Sequence, residues 1–224
     1  DAPTTFAPAT NIPIPPDYIL GPNDNITIIL FGNRNATYKL KITREGEIFF
    51  PGVGPIGIAG LTFPDTREKI QKIVENQLIG TQVSVTLGAL RSINIFVLGD
   101  ANQPGMFTVS ALSTLTNAIF KSGGISSTGP LRNIQLKRKG QVISTFDFYD
   151  LLLKGDTSND ARLMQGDVIF LPPIAKTVGI GGEVGRPGIY ELKENEALGD
   201  LIKFAGNLKP KADISSVELK RVDP

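Results

Sequence analysis

The sequence predicts an α+β protein made of a small α/β domain followed by tandem small modules. Three observations predict it. Residues 95–138 and 178–221 align without a gap at an offset of 83, with nine identities in 44 positions. Those identities (Gly99/Gly182, Pro104-Gly105/Pro187-Gly188, Leu115/Leu198, Ile119/Ile202, Gly123/Gly206 and Leu136-Lys137-Arg138/Leu219-Lys220-Arg221) fall at turns, on one helix face and at a strand end. A repeat of this length is a small domain rather than a solenoid unit. Within each copy a hairpin, one helix and further strands follow in the order of a β-grasp (ubiquitin-like) module.

Element by element, residues 1–16 hold five of the 16 prolines and read as an extended arm. Tyr18 to Asp24 form a turn before the β-rich run Ile26–Phe31. Tyr38–Ile42 and Ile48–Phe50 read as a hairpin about Arg44-Glu45-Gly46-Glu47. Residues 51–57 are too rich in Pro and Gly for a regular element. A helix is expected over about 64–78, with Ile70, Ile73, Val74, Gln77 and Leu78 at helical spacing, Thr62 or Asp65 as cap and Gly80 past its end. Residues 83–87 alternate as a strand.

The first repeat then gives strand 93–98 and a Gln103–Met106 turn with Pro104-Gly105 at its centre. That turn reads as type II, with φ > 0 at Gly105 and, by the offset, at Gly188. A helix near 114–122 stopped by Gly123, strands 134–138 and 142–146 about Lys139-Gly140, an Asp147-capped helix over 148–153 and strand 168–171 complete the module. The organisation expected is therefore an arm at 1–16, a domain at 17–90 and modules at 91–174 and 175–224. Both ends of the chain read as cuts in a longer protein. Repeat two stops where repeat one still has a strand, a helix and a closing strand to go. An open sheet edge and uncovered apolar surface follow, so residues 177–224 are expected to pack on a neighbouring module or a second chain, or else to be the most mobile ordered part.

Composition narrows function. Lys+Arg 23 against Asp+Glu 22 leaves a net charge of +1, which gives no field for nucleic acid. His and Cys are absent, which removes the Ser–His and Cys–His nucleophile pairs, the commonest metal ligands and any disulfide. No run of about 18 apolar residues is present to form a membrane-spanning helix. Asp147 reads as a helix cap rather than half of an acid–base pair with Asp150, and Asp156/Asp160 as loop residues. Gly123-Gly124 and Gly179–Gly182 lack the context of a phosphate cradle. No catalytic residue, cofactor or metal site is expected. Candidate ligand contacts are limited to the basic residues Lys137 and Lys139, placed on one strand face, and Lys220 in the second copy.

Several stretches resemble the outer-membrane polysaccharide export family, which joins an export-signature domain to soluble-ligand-binding β-grasp domains. Tyr18-Ile19-Leu20-Gly21-Pro22-Asn23-Asp24 is similar to its opening Y-x-L-G-P-G-D motif, with Asn23 replacing the second glycine. Gly46–Pro51, Gly54-Pro55-Ile56 and Ala59–Thr62 resemble its next passage. Val97–Asp100 through Pro104-Gly105, and Gly181–Val184 through Pro187-Gly188, resemble openings of β-grasp domains, and Gly166–Pro172 resembles a closing strand.

The resemblance implies a non-enzymatic, ring-forming component of a capsule or exopolysaccharide export complex. Its place would be the periplasm in association with the outer membrane. Its partners would be further copies of itself, the polysaccharide and an inner-membrane co-polymerase, with no nucleic acid. A soluble glycan-binding or regulatory module without a pore, or a DNA-uptake-type binding protein, are the alternatives. Asn tolerates the left-handed region better than most residues, so the Asn23 turn is expected to survive.

Overall fold

The structure is a computed structural model that describes residues 14–213, 215 and 218–220. The first thirteen residues of the proline-rich arm lie outside the described residues, as does Arg221 of the second basic run. The fold is α+β, and it divides into two compact units. The first comprises Asp1–Asn94, Thr108–Ser113 and Leu163–Gln165, the second Ile95–Phe107, Thr114–Arg162 and Gly166–Pro224.

In the first unit, β1 (Asn25–Gly32) is the centre of an antiparallel sheet between β2 (Ala36–Lys41) and β5 (Thr81–Leu87). Ile26, Ile28 and Leu30 alternate onto its buried face. Helix α1 (Phe63–Gln77) buries Thr66, Ile70 and Val74, the i, i+4, i+8 line of an amphipathic helix. Thr62 is its cap, accepting the Asp65 N–H, and Gly80 follows its end at φ +75°.

Two expectations are corrected here. β3 (Glu47–Phe50) does not form a hairpin ladder with β2 but pairs with β4 (Gly54–Gly57), Phe50 opposite Gly54 and Glu47 opposite Gly57. The segment 51–57, read as irregular, therefore contains a strand. Pro55 is tolerated because β4 has only one neighbour, so one edge of the strand needs no N–H donor.

The opening motif is a structural device. Gly21 O accepts the Asp24 N–H at 3.1 Å, with Pro22 and Asn23 (φ +75°) at the centre of the turn. This is a type II turn in which Asn takes the position that calls for positive φ. Asp24, fully buried, accepts from Tyr18 Oη (2.9 and 3.0 Å), the Gly21 N–H (2.9 Å), the Arg91 N–H (2.8 Å) and the Arg91 guanidinium. Asp24→Asn is expected to destabilise the protein by about 1.5–3 kcal/mol, because charge-assisted bonds to a buried group are lost. Urea denaturation checks it, and an unchanged midpoint would make the motif dispensable for stability.

Most of a five-stranded sheet falls in the second unit, in the order β7 (Gly105–Ser110), β6 (Ser92–Gly99), β10 (Val168–Leu171), β8 (Ile134–Arg138), β9 (Gln141–Phe146). β10 runs parallel to β6 and antiparallel to β8. A hairpin at one edge with its first strand beside the last, parallel strand is the β-grasp order. Helix α2 (Leu115–Lys121) buries Leu115, Ala118 and Ile119. Helix α3 (Phe148–Lys154) is capped by Asp147 and stopped by Gly155 in the left-handed region.

The second repeat contributes the hairpin β11 (Thr177–Ile180) and β12 (Gly188–Glu191) and helix α4 (Leu198–Phe204). α4 lies 83 residues after α2 at both ends. The hydrogen bonds repeat as well. Asn102 N–H to Gly124 O is matched by Gly185 N–H to Asn207 O, and Gln103 N–H to Ser122 O by Arg186 N–H to Ala205 O. Asn117 and Asp200 each accept the N–H of the residue three before them, at the start of α2 and α4. Gly124 and Asn207 both hold positive φ.

The type II turn expected at Pro104-Gly105 and Pro187-Gly188 is not formed. Neither Gly105 nor Gly188 has positive φ, and each opens a strand, β7 or β12. The positive φ shared by the two copies falls at Gly99/Gly182, Gly123/Gly206 and Gly124/Asn207. The proline only fixes its own φ, and strand entry accounts for the glycine. Residues 218–220 form no strand.

Candidate functional site

The expected basic residues are not brought together as one face. Lys137 Nζ lies 4.3 Å from the centre of the Phe170 ring. Lys139 is not on a strand: β8 ends at Arg138 after a register shift at Leu136/Lys137, and Lys139 (φ +50°) and Gly140 (φ +81°) form the turn. The reading that Lys137 and Lys139 share a strand face is therefore corrected. Lys220 is exposed beside Glu218. Between the two lysines, Arg138 forks onto buried Asp167 with two 2.8 Å bonds, a bidentate pair that closes β8 onto the turn before β10.

The acidic pairs have the structural roles expected of them. Asp147 accepts the Tyr149 N–H, Asp150 meets Lys154, and Asp156 accepts the Ser158 N–H. Asp160 does more than sit in a loop: it accepts the Thr116 N–H and Oγ1 at the start of α2.

The most concentrated chemistry of the molecule was not legible in the sequence. It is the junction of the two repeats, inside the second unit. Arg132 enters from the loop before β8, with its side chain 6% exposed. Its Nε and Nη2 donate to Asp147 (3.0–3.3 Å), its Nη1 and Nη2 to Glu196 (2.5 and 2.9 Å), and its Nη1 also to the Glu191 carbonyl (3.1 Å). The guanidinium packs over the rings of Tyr149 (4.4 Å) and Phe204 (4.8 Å). Tyr149 Oη accepts the Glu191 N–H, and its ring makes edge contacts with Tyr190 and Phe204. Lys193 adds a second cation at 2.7 Å from Asp147. Through Tyr190, Glu191, Lys193, Glu196 and Phe204 the second repeat thus packs on the neighbouring module, one of the outcomes expected of an open-ended repeat.

Electrostatics at the junction pull in two directions. Burial pushes the Asp147 and Glu196 carboxyls up. Bonds from Arg132 to both, with those from Lys193 and the Tyr149 N–H to Asp147, outweigh it and hold both below the ordinary range. Burial also opposes the charge on Arg132, but its two carboxylate partners hold it more firmly protonated than usual. Glu191 differs: burial dominates, the Leu131 N–H and nearby Arg132 compensate only in part, and its carboxyl is pushed up.

Beside the cluster lies a groove of about 640 Å³, lined by Arg132, Asn133, Thr145 and Ala175–Lys176 with Glu191–Glu194. Among the described residues no group of three or more acidic side chains is placed to hold a metal ion, and no helix is long and apolar enough to cross a membrane.

Comparison with known proteins accounts for the whole order of elements. Residues 12–88 match the family described as polysaccharide biosynthesis/export protein, and residues 94–171 and 177–224 each match the SLBB domain. The chain thus carries one polysaccharide export domain followed by two SLBB domains. Similar proteins include the polysialic acid transport protein KpsD of Escherichia coli, 30% identical over 182 residues, or 80% of this chain and 32% of that protein. The EPS I polysaccharide export outer membrane protein EpsA of Ralstonia nicotianae is 29% identical over 188 residues, 80% of this chain and 48% of its own. The capsule polysaccharide export outer membrane protein CtrA of Neisseria meningitidis is 28% identical over 145 residues, 65% of this chain and 37% of its own. The chain thus spans between about a third and a half of these export proteins. Against this background the Tyr18–Asp24 turn lies in the export domain, and the Arg132 cluster joins the two SLBB domains.

Proposed function

We propose that this chain is the periplasmic part of a capsule or exopolysaccharide export complex associated with the outer membrane, and that it works without catalysis. The observation that carries the reading is the order of one export domain and two SLBB domains across residues 12–224. The names of the relatives support it, since each transports or exports a polysaccharide. In this reading the domains run over 17–90, 91–174 and 175–224, and several copies surround a path for polymer. An inner-membrane co-polymerase supplies the chain and the driving force.

A junction buried around Arg132 supports a rigid pair of modules, which is what stacked rings require. Lys139 and Lys220, both exposed, and Lys137 on Phe170 are weak polar contacts for the passing polymer. Walls of this kind suit transport, because tight sites would hold the chain back.

The test is in-frame replacement of the corresponding segment of the full-length protein in a producing strain. Deletion of the segment is expected to abolish surface polysaccharide, and this chain in its place to restore it. Undiminished polysaccharide after deletion would overturn the reading. Light scattering of the detergent-extracted full-length protein should return a multimer; a monomer would rule out the ring.

A further inference from the structure

Strand β5 ends its sheet in an open, uncharged edge. The order β2–β1–β5 leaves both outer strands with backbone N–H and C=O groups that face no further strand among the described residues. β2 is guarded by exposed Lys39 and Lys41, the usual device against edge pairing. β5 reads Thr-Gln-Val-Ser-Val-Thr-Leu and keeps an unbroken register with β1 over its seven residues, without charge, proline or bulge. Gln82, Ser84 and Thr86 are exposed on one face, and Val83, Val85 and Leu87 alternate to the other.

Beside this edge lies a cleft of about 340 Å³, lined by Arg67 and Gln71 of α1 and by residues 83–86. The Arg67 guanidinium packs over the Phe63 ring at 4.8 Å and enters no hydrogen bond or ion pair with the described residues. Gln71 donates to Glu75 at 3.1 Å. An exposed guanidinium with all its donors unused thus stands between a helix flank and a free strand edge. Planar donors of this kind select a carboxylate.

We propose that β5 takes up an extended strand of another polypeptide by edge addition, the incoming strand lying between β5 and the flank of α1 with an acidic side chain on Arg67. Main-chain bonds along the edge supply affinity, and the alternate side chains that face α1 supply specificity. Glu75 sets the polarity of the incoming strand. It lies two turns beyond Arg67, about 12 Å along the helix, and disfavours a second acid there. A further copy of this chain is the poorer occupant. The described strands carry acids only at Glu47, the first residue of β3, and at Glu191, buried in the repeat junction. Two β5 edges brought together would give neither Arg67 a carboxylate. The proposal does not rest on the export reading.

The experiment is titration of the isotope-labelled chain with the blocked peptide acetyl-Thr-Val-Thr-Glu-Thr-Val-Lys-amide, followed by amide chemical shifts and amide exchange. Saturable shifts with a Kd of about 1 mM or below are expected, centred on residues 67–71 and 81–87, with slowed exchange of β5 amides. Replacing the Glu of the peptide by Lys should weaken binding about threefold or more, the size of an exposed ion pair. The Arg67→Glu chain should reverse that order and prefer the Lys peptide. Arg67 is exposed, so this variant is expected to keep the fold, and unchanged β1 and β2 amide shifts check it.

Absence of saturation, shifts centred elsewhere, or equal binding of the Glu and Lys peptides would each overturn the proposal. So would a concentration-dependent dimer of the chain alone that protects the β5 amides, since the edge would then belong to a second copy.

Discussion

Arg132→Ala is expected to destabilise the SLBB pair by about 3–5 kcal/mol, because it leaves the buried Asp147 and the part-buried Glu196 carboxylates without their shared cation. Asp147 keeps Lys193 and the Tyr149 N–H, but Glu196 keeps only the Lys193 N–H. The guanidinium also leaves a void between the Tyr149 and Phe204 rings. Tyrosine fluorescence during urea unfolding is a direct readout. The chain has no Trp and four Tyr, of which Tyr149 and Tyr190 make an edge contact at this junction. The triple variant Arg132→Met, Asp147→Asn, Glu196→Gln should recover most of the loss, since removing a whole buried ion cluster is often close to neutral. A single variant that loses less than about 1 kcal/mol would mean that the cluster does not hold the modules together.

The same cluster sets a dependence on pH, and its sign follows from the three carboxyls. Glu191 has a folded value above its ordinary 4.5, so its ionisation disfavours the folded state near neutrality. That penalty disappears as pH falls from neutrality through the raised value. Asp147 and Glu196 have folded values below their ordinary 3.8 and 4.5. Their stabilisation is complete above those ordinary values and is lost as pH falls through the depressed folded ones. Stability should therefore rise on mild acidification and drop at stronger acid. Glu191→Gln should remove the rise and leave the drop, as thermal melts across pH would show.

Much of the architecture was open to sequence reading because it depends on local signals. Alternating Ile26, Ile28 and Leu30, the Thr62 and Asp147 caps and the Gly123 stop each act within a few residues, and each stands where expected. The 83-residue offset extends even to single backbone hydrogen bonds. Strand pairing was less open. β3 chose β4 over β2, and nothing local tells a strand which of two neighbours it will meet. Pro-Gly was misread for a related reason: the dipeptide permits a type II turn but does not require one, and strand entry took precedence at Gly105 and Gly188.

The Arg132 cluster was out of reach. Its partners in the second module lie 59 and 64 residues away, and the repeat offers no hint, because the residue 83 positions on from Arg132 is Ser215. Asp147 carried a visible signal, but only as a cap. That it also accepts Arg132 and Lys193 depends on how two modules dock.

The repeat supplies its own control for the second large effect. Gly99 and Gly182 are equivalent by the offset and hold nearly the same backbone, φ +85° and +84°. An alanine at either position bears the cost of the left-handed region, about 1–2 kcal/mol. Their surroundings differ. A Cβ on Gly99 would lie 1.9 Å from the Leu171 carbonyl oxygen, whereas one on Gly182 meets nothing within 4 Å. That carbonyl accepts the Asp100 N–H at 2.9 Å and so fixes the end of β10 beside β6. Backbone cannot move aside as a flexible side chain can, so the parallel β6–β10 pairing must open. Gly99→Ala is expected to cost about 2–5 kcal/mol, the left-handed strain plus an overpacking term of about 1–3 kcal/mol. Gly182→Ala should cost only the first part. Gly105→Ala, with ordinary φ and open space around it, should stay within about 0.5 kcal/mol. Equal losses at Gly99 and Gly182 in denaturant titrations would show that backbone strain alone, and not the approach of β10, makes glycine necessary at the module opening.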